Sequence, residues 1–78
     1  MTTKHPVVRK QDGSAWIDGE QVGRIERHLV PYAGHMTIVW KVYDLDGSYV
    51  TTQHSLAVAK RHMEIAAWTA TLQRARAQ

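Results

Sequence analysis

The chain contains no cysteine, so neither a disulfide nor a thiolate zinc site can brace it. Its 78 residues make one domain at most. A chain of that size buries a modest share of its surface, and its margin of stability is thin. The lack of thiols suits a reducing compartment. No apolar run approaches a bilayer span, and the opening "MTTKHPVVRK" has no apolar segment of the kind that marks a secretory leader. The expectation is a soluble, cytoplasmic protein with no membrane partner.

Signals for catalysis are also missing. There is no Gly-rich phosphate loop. The serines, Ser14, Ser48 and Ser55, sit beside turns or at a helix start, and none has a nucleophile-elbow context. Carboxylates are not paired outside the turns. "DLDGSY" (Asp44–Tyr49) has a calcium-loop flavour, but with Gly47 at the sixth loop position the bidentate glutamate falls on Gln53 and the first ligand on Val42. The histidines, His5, His28, His35, His54 and His62, show no metal-binding spacing. So small a fold also has little room for a deep pocket. We expect no enzyme, no cofactor, no metal and no small-molecule substrate.

Charge is mild. Ten Lys and Arg oppose seven Asp and Glu, a formal +3. That balance permits nucleic acid without requiring it.

What is present is β-hairpin punctuation. Asp-Gly occurs at 12–13, 18–19 and 46–47. Between β-prone segments this dipeptide marks a tight turn, most simply a type I′ turn with φ > 0 at both central residues. "PYAGH" (Pro31–His35) reads as a further turn. The pattern predicts strands near 14–18, 20–30, 36–44 and 48–53, with room for a short extra one near 6–10. The alternation slips by one at Gly23, which predicts a β-bulge near Val22–Arg24. Ser55 is a good N-cap, and no Gly or Pro interrupts residues 56–73. The expected fold is α+β: an antiparallel meander of three to four strands packed on one C-terminal helix. In a single domain spanning 1–78, residues 1–12 form an N-terminal arm, 14–53 the sheet and 55–75 the helix. Met1–His5 and Ala75–Gln78 are expected to be loose.

The helix carries apolar residues on two sides. At about 100° per residue, Leu56, Ala59, Met63, Ala66, Ala67 and Ala70 form one stripe. Val58, Ile65, Trp68 and Leu72 form another, nearly opposite. One sheet covers one side. If the small stripe faces the sheet, the bulky one stands outward, and the reverse placement leaves a flat alanine surface outside. Either the sheet curls or the N-terminal arm, through Val7 and Val8, covers the remainder, or another molecule does. The simplest such molecule is a second copy in a twofold homodimer. Val58, Arg61, Ile65, Trp68 and Leu72 are the candidate partner-binding residues, with Trp68 the natural anchor.

On the sheet, Met36, Ile38, Trp40 and Val42 alternate with Thr37, Val39, Lys41 and Tyr43, and the first set should face the helix. Ile25 and Leu29 join it, which carries Arg27 inward unless that residue lies at an edge. Trp40 is then core, and Trp16 is placed at one end of the curled sheet. Arg24, Glu26, His28, Lys41 and Tyr43 share the open face. Arg24, His28, Lys41 and Tyr43 are the candidate contacts of an alternative duplex-DNA reading, since a major groove admits a two-stranded ribbon.

The segment "WKVYDLDGSYVTTQHSLAVAKRHME" resembles stretches of short proteins of unassigned function from actinobacteria and their phages, over residues 36–66. Its β-β-β-α layout is also similar to plant AP2 domains and to the arm-binding domains of phage-type integrases. The first resemblance implies a small accessory protein that binds a host factor in the host cytoplasm and slows host growth. The second implies a sheet placed in a major groove. Neither assigns functional residues here. The expectation is therefore a non-enzymatic protein that self-associates or binds a host protein through its helix, with DNA binding by the sheet as the alternative.

Overall fold

In the computed structural model, residues 6–77 are described, with side chains as far as Ala70. Five strands run in sequence order as one antiparallel sheet: β1 (Val8–Arg9), β2 (Ser14–Ile17), β3 (Glu20–Tyr32), β4 (His35–Asp44) and β5 (Tyr49–Gln53). One helix, α1 (Leu56–Ala77), follows. The α+β meander is as expected, and the short extra strand for which the sequence left room near 6–10 is present, making five. The additional strand is β1, which pairs Val8 with Trp16 and Arg9 with Ala15. The segment assigned to an arm is thus partly sheet, and Val7 is buried in the core while Val8 is exposed. The expected looseness of Met1–His5 and of Gln78 falls outside the described residues, and α1 continues through 75–77.

The turns follow from their residues, though not all in the same way. Asp18 and Gly19 have φ of 51° and 79°, the two left-handed residues of a type I′ turn. Ala33 and Gly34 repeat that pattern at 53° and 82°, so β3 and β4 run right up to the turn and Tyr32 pairs with His35. The other two Asp-Gly turns differ from expectation. Only the glycine is left-handed, and the Gly13 and Gly47 amides donate to Lys10 O and Asp44 O. This is a three-residue loop with the glycine as its bulge residue. The aspartates act through their side chains: Asp12 Oδ1 accepts from the Ser14 amide and hydroxyl, and Asp44 Oδ1 from the amides of Asp46 and Ser48.

The expected bulge is present. Ala15 pairs with Gly23 but Trp16 with Gln21, leaving Val22 as the additional residue, packed against the core. A second slip leaves Val50 additional between the Val42–Thr51 and Tyr43–Tyr49 pairs, and it too packs inward. The core joins Val7, Ala15, Ile25, Val42, Ala59 and Met63. At Gly23 the Met63 side chain lies against the sheet backbone. A Cβ there would lie 2.7 Å from Met63 Sδ and 2.8 Å from its Cε, and would collide with Tyr43 O. Ser55 caps α1, its hydroxyl 3.4 Å from the Val58 amide and its carbonyl accepting from Ala59.

Candidate interaction surfaces

Small side chains decide which way the helix faces. Ala59 and Met63 are fully buried, with Leu56 and Ala66 packed beside them. Alanines let the helix axis approach the sheet closely, and the hole left by Gly23 accepts the Met63 thioether. The bulky stripe therefore stands outward. Ile65 is 55% exposed and Trp68 65%, Arg61 is exposed, and Val58 is half-buried. Leu72 lies among the residues whose side chains are not described. Of the two N-terminal valines, Val7 joins the core beside the inner stripe and Val8 is exposed. Trp68, Thr69 and Ala70 are all exposed. Three successive residues about 100° apart span more than half of the circumference, so the helix stands clear of the sheet at Trp68–Ala70.

A matching projection lies at the other end. β2 reaches only as far as Arg24 on β3, and β5 only as far as Trp40 on β4. Beyond those rows β3 and β4 continue as a two-stranded ribbon, with no other strand beside it among the described residues. Leu29 and Met36, on the helix side of the sheet by alternation from Ile25 and Val42, are each 58% exposed. Met36 lies on the helix side as expected, yet is open to solvent. It is exposed because α1 starts only after the chain leaves β5 at Gln53, opposite Trp40, so the helix does not reach over it. Arg27 is exposed on the same ribbon, since β3 has become an edge there. Residues 29–38 hold no Lys, Arg, Asp or Glu. The molecule is correspondingly long, 50 × 26 × 24 Å.

The opposite face gathers the residues of the DNA reading. Arg24 pairs with Tyr43, Glu26 with Lys41 and His28 with Val39, so the structure brings Arg24, His28, Lys41 and Tyr43 onto one surface. Sequence reasoning missed several neighbours. Trp16 lies there rather than at the sheet's end, paired with Val8, with Lys10 Nζ 3.9 Å from its ring centre. Its indole N–H donates to Ser14 Oγ at 2.8 Å, and the Tyr43 and Tyr49 rings meet edge-on at 6.1 Å. The cations are largely engaged. Arg24 donates to Asp12 O at 2.8 Å and pairs with Glu26 at 3.4 Å. Glu26 also meets His28 Nε2 at 3.0 Å. The His28 hydrogen bond, then Arg24, hold the Glu26 carboxyl below its ordinary range, so it stays ionised at the centre of the face. Hydrogen bonds from Ser14 do the same for Asp12.

Among the described residues no group of three His, Cys, Asp or Glu side chains is arranged to hold a metal ion. No described helix is long and apolar enough to cross a membrane. No protein-family model matches the chain, and neither does any curated protein or solved structure in the comparisons.

Proposed function

We propose that this chain is a non-enzymatic interaction protein whose contact element is the outer stripe of α1, through self-association or with a host protein. One observation carries the reading: Ile65 and Trp68 stand exposed on a helix whose other side is already seated on its own sheet. Burying side chains of this kind is worth roughly 1.5–3 kcal/mol each. A domain stabilised by about 5 kcal/mol has reason to recover that in a complex. The phage-type setting, an action on host growth and a host-cytoplasmic location draw on the sequence resemblance alone. Sedimentation velocity over a concentration series checks self-association. Wild type should gain mass with concentration, while Trp68→Glu stays monomeric with an unchanged circular dichroism spectrum. A wild type that remains monomeric throughout counts against it.

A second reading, duplex-DNA binding by the open face, is favoured by Lys10, Lys41, Trp16 and Tyr43 sharing that surface. The ionised Glu26 and the engagement of Arg24 by Asp12 and Glu26 speak against it, because phosphate contacts need free cations. It predicts a salt-sensitive mobility shift weakened by Lys41→Ala, and the absence of any shift at low salt removes it.

A further inference from the structure

Two arginines without a carboxylate partner meet at Trp40, on the helix side of the sheet. We infer that they form a binding site for a phosphoryl group, either inorganic phosphate or a phosphomonoester. The site is separate from the outer stripe of α1 and from the open face.

The ladder builds it. Arg27 on β3, Trp40 on β4 and Gln53 on β5 are direct partners in one row. Trp40 packs on the core, and directly paired residues share a face, so Arg27 and Gln53 lie on the helix side with it. Directly opposed residues have Cβ atoms about 5 Å apart, so the Arg27 stem starts beside the indole. Arg9 arrives from β1. It pairs with the buried Ala15 and so faces the same way. Its Nε donates to Ile25 O at 2.7 Å, and its Cζ lies 5.2 Å from the centre of the Trp40 ring. The terminal nitrogens of its fork have no partner among the described residues.

Charge on this face is left unbalanced. Arg9 is half-buried and Arg27 exposed, and among the described residues neither meets a carboxylate. No Asp or Glu stands on this side in their row or in the rows beside it, Ile25–Val42–Thr51 and Leu29–Ile38. Glu26 is on the open face, and Asp12 is taken by Ser14. Asp44 and Glu64 lie toward the other end: Met63 sits at Gly23, Gly23 pairs with Asp44, and Asp44 is about 14 Å along β4 from Trp40. Gln53 adds no charge, its amide nitrogen 3.0 Å from Thr51 Oγ1 and 3.4 Å from His62 Nε2. Stacking on Trp40 accounts for Arg9 by itself, as the anchor of β1. It does not account for a second cation beside the same ring, which repels the first. An anion held by both turns that repulsion into attraction.

Two forks select the ligand. One guanidinium satisfies a carboxylate through two parallel bonds. Two guanidiniums call for more oxygens and more charge. A phosphomonoester brings three acceptor oxygens and a charge of about −1.5 to −2 near neutral pH. Leu29, Ile38 and Met36 continue from the row toward the hairpin tip on the same side, where an organic group carried by the phosphate would lie.

Inorganic phosphate titrated against the intact chain tests the site, with ionic strength held constant by chloride. The arginine Nε–H and indole N–H resonances are the readout. Saturable shifts at Arg9, Arg27 and Trp40 are expected. Arg27→Gln, an exposed change, should weaken binding about tenfold, and Arg27→Lys should recover part of that loss, since it keeps the charge without the fork. Arg9→Gln should weaken it at least as much. If that chain fails to fold, Arg27→Gln decides alone. Phenyl phosphate binding more tightly than phosphate supports a phosphomonoester whose organic group lies along the ribbon, and equal affinity supports free phosphate. Shifts that never saturate, or that persist undiminished in Arg27→Gln, overturn the site. Shifts centred on Arg24 and Lys41 overturn it too, because phosphate then sits on the open face. Acetate binding as tightly as phosphate overturns the choice of ligand.

Discussion

The two ends of the β3–β4 hairpin are built from similar residues and live in different surroundings. At the base, Ile25 and Val42 face each other across the ladder at zero exposure, beneath Ala59 and Met63. Two rows toward the tip, Leu29 and Ile38 make the same kind of pair on the same face, yet Leu29 is mostly exposed. Nothing in the local sequence separates the two rows. What differs is the second layer: the helix covers one and not the other. An alternating strand pattern therefore reports which side a residue faces, and not whether anything covers that side.

Substitutions along the hairpin and its cover break or sharpen this contrast. The largest effect belongs to Met63→Ala, which empties the space over Gly23 and should cost about 2–5 kcal/mol in urea unfolding. Gly23→Ala attacks the same contact from below. The added methyl has no room between Met63 and Tyr43 O, and overpacking of this kind costs about 1–3 kcal/mol. At the tip the sign reverses. Ala33 holds a φ of 53°, so Ala33→Gly should raise stability by about 0.5–1 kcal/mol. Leu29→Ser, measured at a dilution where the chain is monomeric, should change stability by no more than about 0.5 kcal/mol. If it costs as much as a core substitution, the two ends are not distinct.

The smallest effect is electrostatic. Asp12 and Glu26 both have carboxyls held below their ordinary range in the folded chain. A group depressed in this way stabilises the fold fully above its unfolded value and loses that contribution as pH falls through its folded value. In thermal unfolding, the stability carried by these two carboxyls should therefore hold down to about pH 4.5 and decline gently below. Both groups are solvent-exposed, so the slope should be shallow and salt-sensitive. Asp12→Asn and Glu26→Gln together should flatten it.

Much of the fold was legible because its punctuation is chemical. Asp-Gly and Ala-Gly mark the turns, the alternation defect at Gly23 marks the bulge, and Ser55 marks the helix start. The assignment of Arg24, Glu26, His28, Lys41 and Tyr43 to one face followed from period-two alternation alone. β1 was harder to read, since a two-residue strand has no periodicity and the burial of Val7 comes from long-range packing. The loop geometry at Asp12-Gly13 and Asp46-Gly47 was misread because Asp-Gly serves both turn types, and loop length decides between them. The exposure of Met36 depended on where the helix begins relative to the ribbon. That offset is a tertiary distance, and no local pattern encodes it.

The bare backbone at Gly23 also makes the helix a lever with its fulcrum under Met63. Fourteen residues lie beyond that point, an arm of about 21 Å. A tilt of about 10° there carries the far end through about 4 Å. Variation at one inner position can thus steer a surface that it never touches, and rebuilding the sheet near the bulge would re-aim the helix without altering a single exposed side chain.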